Sequence, residues 1–444
     1  MRRASGLAFT VSVLWAFSGC GSSDDDEPTG SALVLITDQP LDDLLSFEIT
    51  LTDVVFDPGG VSILPSPERI ELTALRMDTG ILRLAEVPPG SYDSVTVRFA
   101  DPTVRFLEGG VVREVDPPLR DSSVSDAVAF TVAENGGVAV LIDFDVDASI
   151  ETDPMGDVTG VDPTISVSRV GIGGSDEIED RLGRVLAISR TGAMSGTLGQ
   201  VLFEDFTACS GTITVTVTSS TVFDGFAPAQ DSFASLVPGH LIELDADFRS
   251  DGTVIAEEIE LEDDEDEDRV EGLIVEVDRA ADGLVLAFDL VPLAAAPCSA
   301  ALPSAARVEV TVSPATAFRI DDDGFDVETV DFNDPRDIDV GQKVSVDPSG
   351  AITGNTTAMV AERIRLQDQT IHGAASSVTD PLTTFGLAPS SELFPDVLIS
   401  VETSARTEVE DPPENGQDVR VKGLLLRTGP GEQRLVAKRV DGTP

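Results

Sequence analysis

Apolar residues along this chain recur mostly at every second position, in short runs cut by proline and glycine. Between Ser94 and Phe99, Val95, Val97 and Phe99 fall on one side, and Thr96 and Arg98 on the other. That is the period of a half-buried antiparallel strand. Residues 138–147, VAVLIDFDVD, alternate in the same way, with Val138, Val140, Ile142, Phe144 and Val146 on one face. Residues 31–56 read as a strand, a turn at Asp38-Gln39-Pro40 and a second alternating run, and Val87-Pro88-Pro89-Gly90 marks a further turn. Many short strands with such punctuation predict an all-β chain, beginning with a β-sandwich over residues 31–172.

The second half repeats itself three times, over residues 182–261, 270–367 and 370–444. Each segment opens on a glycine and an apolar strand: Gly183-Arg-Val-Leu-Ala-Ile, Gly272-Leu-Ile-Val-Glu-Val and Gly373-Ala-Ala-Ser-Ser-Val. A Thr-led phrase follows at Thr221, Thr316 and Thr407, and then a second Gly-led strand at Gly239, Gly341 and Gly416. The closing phrases are Val254-Ile-Ala-Glu-Glu-Ile, Met359-Val-Ala-Glu-Arg-Ile and Leu435-Val-Ala-Lys-Arg-Val. Four phrases in one order, three times over, define a structural repeat. Each unit is expected to be a small antiparallel barrel, OB-like in shape, with the glycines serving turns into strands.

Charge narrows the partners. The 444 residues carry 80 acidic and 29 basic side chains, a net charge of −51. Such a surface repels phosphate backbones, which excludes nucleic acid as an expected partner. Aromatics are scarce, with one Trp and one Tyr, and the 20 Phe mostly read as core, which weakens a sugar-stacking role. The run Glu262–Asp268 falls between the first two repeats, so residues 262–269 read as a self-repelling acidic linker.

The N-terminus reads as an address. Arg2 and Arg3 precede a short apolar stretch, Leu7–Phe17, too short to span a bilayer. Phe17-Ser18-Gly19-Cys20 resembles the bacterial lipobox, although Phe17 stands where that motif usually has Leu. The resemblance implies a lipoprotein signal peptide over residues 1–20, lipidation of Cys20 and an acidic tether over residues 21–30. By the same resemblance, Gly21 in place of a retention Asp favours the outer membrane. The expected location is the bacterial cell envelope, with the membrane contacted through the lipid, on its periplasmic or its surface-exposed face.

Residues 31–172 resemble a family of extracytoplasmic lipoprotein domains of unknown function. The pieces carrying the likeness are Ile36-Thr37-Asp38-Gln39-Pro40, Pro89-Gly90-Ser91-Tyr92, Leu141-Ile142-Asp143-Phe144-Asp145 and Pro163–Val167. It implies a prealbumin-like sandwich and brings no activity. The repeats resemble a second such family.

Candidate chemistry is sparse. Cys209 and Cys298 each lie 26 residues after a repeat-opening glycine (209 − 183; 298 − 272), so a disulfide between them and a pair of buried thiols are both open. Asp143, Asp145 and Asp147 share the polar face of their strand; a solvated face is the simpler reading and a Ca²⁺ site the alternative. The two histidines, His240 and His372, sit beside repeat glycines and read as turn residues. Asp321-Asp322-Asp323-Gly324 lacks the ligand register of an EF-hand. No cofactor and no catalytic residue is expected. The chain reads as a non-catalytic binding, adhesion or structural module of the envelope with a protein or polymer partner. A hydrolase of envelope or extracellular polymers is the alternative, and a calcium-stiffened surface stalk a third.

Overall fold

The computed structural model describes residues 28–39, 44–75, 77–153, 157–172, 178–190, 196–206, 211–226, 232–263, 269–296, 302–320, 325, 331–395 and 397–442. The chain is all-β: an N-terminal domain of two packed sheets followed by three small barrels. No described helix is long and apolar enough to cross a membrane.

In the first domain, one sheet has the order Ile165–Val170, Gly137–Asp145, Gly30–Gln39, Thr79–Val87. Its two central strands run parallel, with Ser31 opposite Gly137 and Gln39 opposite Asp145. The other sheet is built on Leu44–Asp57 and Ser94–Glu108. The alternation read from the sequence points where expected. Val95, Val97 and Phe99 from one sheet meet Val138, Val140, Ile142 and Phe144 from the other in a single core. Phe144 sits edge-on to Phe47 and Phe99 at 5.8 and 5.7 Å, a favoured ring geometry. The Tyr92 hydroxyl donates to the Pro88 carbonyl at 2.8 Å, which pins the Pro-Pro-Gly turn.

The opposite face of the parallel pair is buried too. Leu33, Leu35 and Ala139 join Ile81 in a core shared with Val215, Phe248 and Ile259 of the first barrel. Ala32-Leu33-Val34-Leu35-Ile36 is unbroken apolar sequence because both sides of that strand are covered.

The three barrels have one topology. In the first, the principal strands are Ile178–Arg190, Thr197–Asp205, Thr212–Thr218, Leu241–Phe248 and Val254–Asp263, with a short strand at Val222–Asp224. The first three form a meander, the fourth pairs with the first, and the fifth closes the barrel by pairing parallel to the third. The same order and the same parallel closure recur in the second barrel, where Val310 faces Met359, and in the third, where Val401 faces Leu435. This is the connectivity of an OB-type barrel, a five-stranded Greek-key form.

The recurrent phrases are the contacts that close each barrel. Two residues past the opening glycine, Val185, Ile274 and Ala375 each accept from the second glycine's amide (Gly239, Gly341, Gly416) at 2.7–2.8 Å. Each returns a bond of 2.8–3.0 Å to the carbonyl of the residue after it (His240, Gln342, Gln417). The Thr221, Thr316 and Thr407 hydroxyls donate to the carbonyls of Ala256, Ala361 and Ala437 at 2.7–2.8 Å. The opening phrase therefore bonds the third phrase, and the Thr phrase bonds the closing one.

One expectation about the glycines needs correcting. Gly239, Gly341 and Gly416 are turn residues with φ of 100°, 88° and 83°, a region costly for other residues. Gly183, Gly272 and Gly373 instead lie inside strands. A Cβ there would come within 2.2–2.4 Å of the carbonyl oxygens of Glu204, Val291 and Ala388. They are glycine because the neighbouring strand passes too close for any side chain.

The acid run is shorter as a linker than its sequence suggests. Glu262 and Asp263 still belong to the fifth strand of the first barrel, and Arg269, 2% exposed, begins the second.

Candidate functional site

Only three lysines occur in the chain, Lys343, Lys422 and Lys438, and all three line one cavity of about 120 Å³ where the four domains meet. The sandwich contributes Asp78 and the first barrel Arg181 and Glu243. Glu271 and Lys343 come from the second, and Lys422 and Lys438 from the third. A smaller adjoining cavity of about 80 Å³ shares Asp78, Lys343, Asp368 and Lys422 and adds His372 and Phe394.

Strands place these groups. Lys343 starts the fourth strand of the second barrel, Lys343–Pro348, and Lys422 lies in the matching strand of the third, Asp418–Gly429. Lys422 Nζ is 2.5 Å from Asp78 Oδ1 and 3.4 Å from Asp368 Oδ2. Burial alone would depress the Lys422 ammonium, yet the Asp368 and Asp78 carboxylates hold its pKa well above the ordinary lysine range. Burial likewise pushes Asp368 up, but Lys422, then Lys343 and Lys438, hold it below the usual carboxylate value. Lys343 stands farther from its partner, with Nζ 4.0 Å from Glu271 Oε2. Arg181 is 6% exposed and its Nε has no hydrogen-bond partner.

A second buried polar group lies within the sandwich. Burial, then the Glu48 charge, raises the pKa of Glu71, whose oxygens accept from the Ser46 hydroxyl at 2.5 Å, the Phe47 amide at 2.8 Å and the Thr73 hydroxyl at 2.6 Å. Arg105 donates to Glu48 at 3.1 Å, to Glu114 at 2.7 Å and to the Pro292 carbonyl of the second barrel at 3.3 Å. Neither Glu48 nor Glu71 lines the junction cavities.

Further bonds tie the domains. Ile81 N donates to Asp205 Oδ2 at 2.9 Å, Gly137 N to the Ser250 carbonyl at 2.9 Å and Gln342 Nε2 to the Leu425 carbonyl at 3.0 Å.

These groups hold fixed charges in place. A lysine kept charged is the reverse of a nucleophilic or general-base lysine, which must lose its proton to act. Glu71 has the raised pKa of a proton donor, but its oxygens are occupied.

The residues singled out in the sequence are placed differently. Cys20, Cys209 and Cys298 lie outside the described residues, as do Asp321–Gly324 and residues 264–268. Asp143, Asp145 and Asp147 do not share one strand face. The strand stops at Asp145, whose carboxylate caps the helical turn Val146–Ser149 by accepting from Ala148 N at 2.8 Å, and Asp147 is exposed on that turn. Among the described residues no group of three or more His, Cys, Asp or Glu could hold a metal ion. His372 is not a turn residue but a strand residue opposite Arg420. Sequence reasoning passed over both Arg181 and the convergence of the three lysines.

Comparisons with known proteins place two domain families along the chain. A family model described as Domain of unknown function (DUF4382) matches residues 29–159, and one described as Domain of unknown function (DUF5666) matches residues 195–260 within the first barrel. The chain is thus similar to two domain families of unknown function. No curated protein matches it. A solved structure, drosophila Unr CSD456, matches at 14% identity over 60% of this chain and 98% of that one, with a TM-score of 0.14. The barrel assignment therefore rests on the strand pairing above.

Proposed function

We propose that this protein is a non-catalytic, lipid-anchored module of the bacterial cell envelope, whose four domains form one head on an acidic tether. The anchor reading rests on Arg2-Arg3, the short apolar stretch and Phe17-Ser18-Gly19-Cys20. The non-catalytic reading is carried by one observation: Lys422, in the central cleft, is held charged between Asp78 and Asp368. The buried Glu48–Glu71 pair supports it, because its bonds are spent within the fold. A head with shared cores suits presentation of a fixed surface to an envelope protein or polymer, and the bacterial outer membrane is the proposed site.

Metabolic labelling with palmitate tests the anchor. Wild type should label and Cys20→Ala should not; equal labelling of both sinks the proposal. Protease shaving of intact cells then distinguishes the surface-exposed from the periplasmic face. Release of soluble fragments from purified peptidoglycan or extracellular polysaccharide by the protein would overturn the non-catalytic reading in favour of a hydrolase.

A further inference from the structure

We propose that the four-domain junction is a binding site for a small oxyanion, a carboxylate or phosphate group, with Arg181 as its principal donor. Arg181 lies on the first strand of the first barrel, paired to Leu244, and lines the cavity of about 120 Å³. It is 94% buried (6% exposed), and its Nε lacks a partner. A guanidinium is always charged, so an unsatisfied donor at this depth is costly until an acceptor fills the space. Its planar fork matches carboxylate and phosphate oxygens.

The lining charges balance, with Arg181, Lys343, Lys422 and Lys438 against Asp78, Glu243, Glu271 and Asp368, so the preference for an anion rests on the donor that has no acceptor. Lys422 bridges Asp78 and Asp368, which engages both carboxylates with an ammonium already in place. Lys343, 4.0 Å from its nearest carboxylate oxygen, can turn toward an added acceptor. The cavity of about 120 Å³ exceeds the roughly 30 Å³ share of one liquid water and suits a group of a few heavy atoms. With a net charge of −51, the outer surface repels anions, so saturable anion binding would report a built site. The inference does not use the lipid anchor, and either can fail without the other.

The test is a titration of the full-length chain in detergent with inorganic phosphate and, separately, with acetate. Ionic strength is held constant with sodium chloride, and binding is read by calorimetry and by melting temperature. Saturable binding of at least one anion is expected, and the two arms identify which. Arg181→Gln should weaken it at least tenfold, whereas Arg181→Lys, which keeps the charge and loses the fork, should weaken it less. Should Arg181→Gln not fold, Lys343→Gln serves in its place, with a severalfold loss expected. Absence of saturable binding by both anions, or undiminished binding in a folded variant, overturns the proposal.

Discussion

Lys422 Nζ and Asp78 Oδ1 meet at 2.5 Å although 344 positions separate them in sequence. The pair joins the last barrel to the first domain, and Asp368 lies 3.4 Å away on the same ammonium.

Lys422→Met should be strongly destabilising, by about 3 kcal/mol, because it strands two carboxylates at a buried junction. The shift in urea midpoint measures it. The pH sign follows from the two directions of shift. Lys422 is raised, so its contribution is full below an unfolded value of about 10.4 and is lost as pH rises through the higher folded value. Asp368 is lowered, so its contribution is present above about 3.9 and is lost as pH falls through the lower folded value. Wild type should weaken at both extremes, and Lys422→Met should show a smaller alkaline fall, the remainder coming from groups such as Tyr92, whose pKa burial also raises.

Glu68 behaves in the opposite sense. Burial pushes it up to about 6, with Arg83 opposing. Its contribution is therefore present below an unfolded value of about 4.3 and is lost as pH rises through about 6. Glu68→Gln should flatten this step and stabilise the protein at pH 7.5, by less than about 1 kcal/mol because the side chain is half-exposed. Melting temperatures of both proteins at pH 4.5 and pH 7.5 check it.

The threonine bonds should be interchangeable in their effect. Thr221→Val, Thr316→Val and Thr407→Val each leave an alanine carbonyl without its hydroxyl donor and should cost about 1–3 kcal/mol. Denaturation of the three variants should give losses of similar size; a near-zero value at any one would show that the bond is dispensable in that barrel.

The in-strand glycines should resist the smallest enlargement. Gly183→Ala, Gly272→Ala and Gly373→Ala drive a methyl into an opposing carbonyl and should each cost about 1–3 kcal/mol through overpacking. Gly350→Ala, where an added methyl meets nothing within 4 Å, is the control and should be nearly neutral on a thermal melt.

The repeats were legible in the sequence because the contacts that close each barrel recur as local phrases. Thr221 and Ala256 are neighbours in space and appear as a Thr phrase and an apolar-x-Ala phrase in a fixed order, although 35, 45 and 30 positions separate the pair in the three repeats. The core faces of Ser94–Phe99 and Val138–Val146 were legible because burial of one face imposes alternation. The junction was not. Arg181, Lys343 and the pair Lys422 and Lys438 lie on three different barrels, and no local pattern encodes their meeting; rarity of lysine was the only signal. The strand ending at Asp145 was equally hidden, because the carboxylate that caps the next turn fits the preceding alternation.

The parallel pairing of Gly30–Gln39 with Gly137–Asp145 has a consequence for how the chain is made. The first strand emerges early from a synthesising ribosome or a translocation pore, and its parallel neighbour follows only about a hundred residues later. Its other face is covered only once the first barrel has formed, later still. Until then an apolar ribbon with unpaired amides is open to aggregation, as late, non-local β pairings are. The growing chain must therefore be shielded over that interval, so depletion of the chaperones that receive it should harm this protein more than one built from the barrels alone.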